Sequence, residues 1–336
     1  MLPFKIVYSD AYYLPIGEHV FPAAKYRLVH QRLLEAGIAD AADFLAPEKA
    51  EDRDILLVHG ADYVYKLQTG SLTAREELQM EIPFSDELVD AFWLAAGGSI
   101  LAGRKALEDG AAINLGGGFH HAFPDHGEGF CMINDIAVAI RRLQMDKKIE
   151  RAMVIDCDVH QGNGTAAIFG KRRALEQAAQ PLPSEGGPTL QRTDHGSIRE
   201  LSADGADVFT ISLHQENNYP LWKPPSSIDV NLPDGLGDEQ YLGWLDNAVS
   251  SALRRFDPQL ISYVAGADPY KHDQLGGLNL SIDGLKKRDE FVFRLARTRG
   301  VPVMVTLAGG YAQDVNDTIT IHSNTVAAAK EVFAGN

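Results

Sequence analysis

At 336 residues, with 45% hydrophobic and 23% charged residues, the chain has the material for a sizeable core, and length alone leaves one domain or two open. Its net charge of −15 comes from 46 acidic against 31 basic residues with no basic block, which argues against a nucleic-acid partner and favours cationic molecules or lysine-bearing peptides. Two cysteines, Cys131 and Cys157, argue against a disulfide framework; no apolar run reaches bilayer length, and the start reads as a strand rather than a leader, so a cytoplasmic protein without a membrane partner is expected.

Residues 5–8 are strand-like, and residues 26–34 place apolar side chains at helical spacing before Gly37. Residues 55–58, Ile-Leu-Leu-Val, predict another short buried strand running into His59, whose place at an element end suits a hydrogen-bonded structural role. Residues 88–107, rich in Ala, Leu and Gly, predict a long buried helix packed closely through Gly97, Gly98 and Gly103. The next strand, 111–115, breaks into Gly116-Gly117-Gly118 and then Phe119-His120-His121.

Three glycines let a backbone come close to a ligand, and their spacing is not that of a phosphate cradle. On such a loop both histidines can line one pocket. The loop runs on through His126, Glu128 and Cys131 to Asn134-Asp135, which predicts the cap of a helix over 136–143. A connection of that length between strand and helix suits a functional loop.

The central run is Val154-Ile155-Asp156-Cys157-Asp158-Val159-His160-Gln161-Gly162-Asn163-Gly164. Residues 153–155 are apolar without alternation, as in a parallel strand covered on both faces, and a helix over 165–169 follows. Asp158 and His160, two residues apart, point the same way on extended backbone and can grip one ion, with a third ligand needed from elsewhere. Composition shifts over 170–207, where Pro181, Pro183, Gly186, Gly187 and Pro188 predict a surface excursion over about 182–205.

Residues 207–213 form the next predicted strand, ending in His214, and 222–233 is proline-rich and extended. Gly235 to Glu239 then caps a helix over 241–256. A strand over Leu260–Val264 runs into Ala265-Gly266-Ala267-Asp268, and Asp268, at a strand end among small neighbours, is the candidate third ligand. The helix Ile282–Arg299 and the strand 303–307 close on Ala308-Gly309-Gly310-Tyr311. This alternation predicts an α/β fold: one domain over 1–336, with a central, mostly parallel β-sheet, helices on both faces and chemistry at the strand ends.

Taken together these stretches resemble the zinc-dependent histone deacetylase family, with its arginase/deacetylase-like fold, and most closely the class IV branch and its bacterial relatives. The motifs quoted span residues 113–311 in the family's order, and residues 8–17, 59–63 and 258–264 also fit. The resemblance implies Asp158, His160 and Asp268 as zinc ligands, His120 and His121 as the tandem active-site histidines, and Tyr311 as the hydroxyl that bonds the substrate carbonyl. It makes Asp156 the buried carboxylate behind His120. Asn163 stands where many members carry a second Asp; an amide can orient an imidazole but cannot stabilise its charged form, and the class IV branch shares this feature.

The implied mechanism is attack of a zinc-activated water on an amide, with His121 as base, His120 assisting electrostatically and Tyr311 donating to the oxyanion. Phe130, Tyr219, Gly129 and Gly309 fit the walls of a narrow substrate tunnel. A structural K⁺ or Na⁺ near Asp156, Asp158, His160, Ser212 and Leu213 is also implied. Acetyl-lysine or longer acyl-lysine in a protein or peptide, and acetylated polyamine, all present an amide on an alkylamine, so deacylase and acetylpolyamine amidohydrolase both stay open. An arginase-like two-manganese hydrolase needs more bridging carboxylates than Asp156, Asp158 and Asp268 supply, and leaves Tyr311 without a purpose. A non-catalytic acyl-ligand binding protein on the same fold would not need both histidines and Tyr311.

Overall fold

The structure, a computed structural model, describes residues 1–178, 189–193, 196–200 and 205–334. Its strands are β1 (Lys5–Val7), β2 (Phe44–Leu45), β3 (Ala111–Asn114), β4 (Ala152–Asp156), β5 (Thr189–Thr193), β6 (Gly196–Glu200), β7 (Val208–Gln215), β8 (Ile228–Leu232), β9 (Leu260–Val264) and β10 (Val303–Thr306). They join one sheet in the order β2-β1-β3-β10-β9-β4-β7-β8-β6-β5. Pairing is parallel from β2 to β8, and β6 and β5 add antiparallel at the edge.

The helices are α1 (Lys25–Glu35), α2 (Asp52–Ile55), α3 (Ala61–Thr69), α4 (Ala74–Met80), α5 (Asp86–Asp109), α6 (Asp135–Met145), α7 (Asn163–Ala178), α8 (Asp238–Arg255), α9 (Ile282–Arg299) and α10 (Val315–Ala334). One run of neighbours, α5, α6 and α7, and a second, α8, α9, α10 and α1, cover the sheet. Burial on both faces explains why β3, β4 and β10 are apolar without alternation up to their last residue, and why β9 is interrupted only by the buried Ser262. No helix among the described residues is long and apolar enough to cross a membrane.

Local chemistry sets the helix ends. The Ser85 hydroxyl accepts from the Leu88 amide to start α5, and Gly110 ends it in the left-handed region at φ 85°. Within α5 a Cβ at Gly97 would lie 1.9 Å from the Glu48 carbonyl and one at Gly98 2.0 Å from the Tyr12 hydroxyl, so the helix seats against its neighbours only with glycine there. Asn114, at the end of β3, accepts from the same Tyr12 hydroxyl at 2.8 Å.

The predicted strand over 55–58 is not one. Glu51 and Asp54 form a capping box that starts the helical turn α2, which ends at the buried Ile55, and residues 56–58 form a turn in which Leu56 is 46% exposed. Of the excursion expected over 182–205, the described parts form β5 and β6, and the remainder lies outside the described residues. α10, whose pattern the sequence reading passed over, packs against α9 and α1.

Register brings the ends of β3, β10, β9 and β4 into one row with Ser212, inside β7. Asn114 pairs with Thr306, Thr306 with Val264, Val264 with Asp156, and Asp156 with Ser212, across β3, β10, β9, β4 and β7. The loops leaving this row carry, in the same order, His120 and His121, Tyr311, Asp268, Asp158 with His160, and Tyr219. Beneath it, the fully buried Arg288 of α9 pairs with Asp289 at 2.8 Å and donates to the carbonyls of Gly266 at 2.6 Å and Cys157 at 3.3 Å. One guanidinium thus ties the turns after β9 and β4 together.

Two outcomes test this frame. Arg288→Met leaves Asp289 buried without its cation and frees both turns, so unfolding in urea should show a loss of about 3–5 kcal/mol. His59, as expected, is structural: Nδ1 donates to the Phe123 carbonyl at 2.9 Å and Nε2 accepts from the Asn134 amide at 3.0 Å, with burial lowering its pKa from 6.5 to about 4. Unfolding exposes a group that binds protons more readily, so its contribution is fully present above pH 6.5 and lost as pH falls toward 4, on the order of 3 kcal/mol. His59→Gln should flatten the acid limb of stability against pH relative to the parent; an unchanged limb would refute the assignment.

Candidate metal centre and active site

Asp158 and His160 follow β4, and the His160 backbone amide donates to Asp158 Oδ1 at 3.1 Å, folding the segment back on itself. Asp268, on the turn after β9, accepts the Val159 amide on Oδ1 at 2.9 Å. All three are buried, and one ligand atom from each lies within 4.8 Å of the others. Asp268 Oδ2 has no hydrogen-bond partner among the described residues and faces His160 Nδ1 at 3.4 Å. A buried carboxylate oxygen left in that state suits a cation, and one imidazole with two carboxylates suits a borderline ion such as zinc.

The cradle is kept open by glycine. A Cβ on Gly309 would lie 2.1 Å from Asp268 Oδ2 and 2.6 Å from Asp158 Oδ2, while the Gly309 amide donates to Asp158 Oδ2 at 3.0 Å. Electrostatics agree with a cation site. Burial and the neighbouring Asp158 push the Asp268 carboxyl up to about 7; burial opposes charge on His160, but Asp158 and Asp268 outweigh it and raise the imidazole to about 10. Groups that draw protons this strongly mark surplus negative charge in a dry place.

The two histidines stand beside this cluster with different partners. His120 Nδ1 meets Asp156 Oδ2 at 2.7 Å; burial opposes its charge, yet Asp156 and Asp158 prevail and raise it to about 9. His121 Nδ1 meets Asn163 Oδ1 at 2.7 Å, and burial with the adjacent His120 holds it well below the usual imidazole value. Their Nε2 atoms are 3.1 Å apart. One imidazole is therefore the charged partner and the other the neutral one, because one is backed by a carboxylate and the other by an amide.

Two connected cavities meet here. An outer cleft is walled by Tyr219, Leu275 and Glu81, a smaller inner pocket by Phe21, Tyr26 and Gly118, and His121, Gly129, Phe130 and Tyr311 border both. Gly309 and Asp158 line the inner one. Phe130 and Tyr311 approach edge to face at 6.1 Å, and Tyr219 stands edge-on to His121 at 5.0 Å. Of the wall residues expected from sequence, Phe130, Tyr219 and Gly129 line the outer cleft, and Gly309 lines the inner pocket beside Asp158. Ser212 lies opposite Asp156 across β4 and β7, with Leu213 beside it, and its hydroxyl meets His214 Nδ1 at 3.0 Å.

Sequence reasoning missed several residues that hold the site. Asp135, read only as part of a helix cap, accepts from the Gly118 and Phe119 amides at 3.0 and 2.8 Å and so fixes the turn into the histidines. Asp273 does the same for Tyr311, accepting its amide at 2.7 Å. Lys25 is buried and donates to the Ala308 carbonyl; burial lowers it to about 8, offset by the charges of Asp268 and Asp158. A lysine opening an apolar helical run was the one available signal, and its target lies 283 residues away.

The histone deacetylase domain matches residues 19–326. An uncharacterised protein of Picosynechococcus sp. is 36% identical over 331 residues, covering 98% of this chain and 99% of its own. Histone deacetylase 2 of Arabidopsis thaliana is 32% identical over 319 residues, covering 91% of this chain and 74% of that protein. Crystal structures of a histone deacetylase homologue with SAHA and of one from Aquifex aeolicus superpose with TM-scores of 0.74 and 0.73, both at 23% identity over 98% of this chain and 88% of theirs. The structures establish a shared arginase/deacetylase fold, and the domain match with the sequence relatives establishes that the chain belongs to the histone deacetylase family of hydrolases.

Proposed function

We propose that the protein is a zinc-dependent, class IV-like amidohydrolase that removes an acetyl or longer acyl group from the side-chain amine of lysine. The observation that carries this reading is the buried Asp158-His160-Asp268 cluster bordering a cavity shared with His121 and Tyr311. Zinc, when bound there, supplies Lewis-acid polarisation of the amide carbonyl and an acidified water. His121, neutral at physiological pH, takes the water proton on Nε2, and His120, held charged against Asp156, stabilises the negative charge that develops. Tyr311 donates its hydroxyl to the same oxyanion, and the imidazole proton returns to the departing amine.

The placement of Gly129, Phe130 and Tyr311 where the two pockets adjoin supports an alkyl stem as the part of the substrate that enters. Glu81 on the wall of the outer cleft favours a substrate with a further positive charge, which keeps an acylated polyamine as the second reading. A monovalent K⁺ or Na⁺ at Asp156, Asp158, His160, Ser212 and Leu213 belongs to the same proposal, supported by the burial of all five.

Elemental analysis should find one zinc per chain, and Gly309→Ala, which puts a methyl 2.1 Å from Asp268 Oδ2, should lose it while remaining folded by circular dichroism. Release of free amine from acetyl-lysine peptide, long-chain acyl-lysine peptide and N-acetylated polyamine should identify the substrate class. Tyr311→Phe should lower kcat by about 10²–10³-fold on the preferred one. Zinc-loaded protein that turns over none of the three would favour a non-catalytic acyl-ligand binding protein instead.

A further inference from the structure

We propose that Glu128 is a positioning residue for the base: it fixes the Asn163 side-chain amide and, through it, the tautomer in which His121 carries its proton on Nδ1. This rests on the deacylase reading for its consequence in turnover, but its geometry stands apart from that reading. Asn163 Nδ2 donates to Glu128 Oε1 at 2.7 Å. A carboxylate oxygen only accepts, so the amide nitrogen must face Glu128 and the amide oxygen must face His121. That oxygen lies 2.7 Å from His121 Nδ1 and also only accepts, so Nδ1 carries the hydrogen. Nε2 is left with its lone pair, toward His120 Nε2 and the cavity.

The chain of donors and acceptors therefore reads from the half-buried Glu128 carboxylate, through Asn163, to the atom that takes the proton. Glu128 is held for this task. Its Oε1 also accepts from the Tyr219 hydroxyl at 2.7 Å, and its Oε2 faces His126 Nε2 and Gln79 Nε2, both at 3.4 Å. Burial works against its charge, but these bonds outweigh it and keep the carboxyl below its ordinary value. The Gly164 amide, 3.0 Å from Asn163 Oδ1, favours the same orientation. Without Glu128 the amide can turn over and present its nitrogen to Nδ1, which selects the opposite tautomer and blocks Nε2 with a hydrogen. Tyr219 hangs on the same oxygen, so tunnel wall and base share one anchor.

The test removes the acceptor and then restores it. Glu128→Ala should lower kcat about tenfold, a fraction of the 10²–10⁴ that a general base supplies. Glu128→Gln, which keeps an oxygen acceptor, should restore most of that loss. Histidine-ring ¹⁵N spectra, with His121→Gln for assignment, should show the Nδ1–H form in the parent and a rising Nε2–H form in Glu128→Ala. Unchanged ring shifts in Glu128→Ala, or a Glu128→Gln variant no better than Glu128→Ala, would overturn the proposal. The ring spectra decide it even if the parent hydrolyses no acyl-amine, so its failure and the failure of the deacylase reading are separate results.

Discussion

Asp156, Asp158 and Asp268 place three carboxylates in the protein interior, and the cost of burying that charge organises the structure around them. Each answer comes from a different part of the chain. Arg288 from α9 sits under the turns that carry them, Lys25 from the start of α1 sits behind the Ala308 turn, and His120 from the glycine loop takes up charge against Asp156. A metal ion on Asp158, His160 and Asp268 would complete the same compensation. Stability and chemistry are thus one problem here, since the groups that make the interior tolerate the carboxylates also set which histidine is charged.

Neutrality at His121 follows from a single choice of residue type. An amide at 163 supplies orientation without charge, so burial wins at His121, while the carboxylate at 156 makes burial lose at His120. Two imidazoles with Nε2 atoms 3.1 Å apart could not both be protonated without strong repulsion, and the pair of backing groups settles the division between them. Glu128 extends that logic outward, because an amide has two faces and something must decide which one it shows.

Much of the fold was legible. Residues 260–264 and 282–299 were read with the boundaries they have, because apolar runs bounded by glycine and by a Ser281 cap leave little freedom. Residues 55–58 misled because a four-residue apolar run has no period to distinguish strand from turn, and the capping residues before it carried the real signal. α10 escaped because buried Thr318, His322, Ser323 and Thr325 are interleaved with its buried Ile319, Ile321 and Val326, which blurs the apolar stripe. The edge strands β5 and β6 lie where prolines and glycines suggested no regular element, and edge pairing tolerates such neighbours.

The sequence by itself determined the residue types that can do this chemistry and their local spacing: Asp158 two residues from His160, tandem histidines after three glycines, Gly-Gly-Tyr after a strand. Those features depend on a few consecutive bonds, so they survive reading without coordinates. Only the tertiary structure decided which distant groups answer them. That Asp268 brings an unpartnered oxygen to Asp158, that Arg288 spans two turns, and that Glu128 reaches Asn163 depend on strand register and helix placement, which are properties of the whole sheet. A charged residue in a sequence shows its charge; whether it is a solvated surface group or a buried anchor is set by what the fold puts within 3 Å of it.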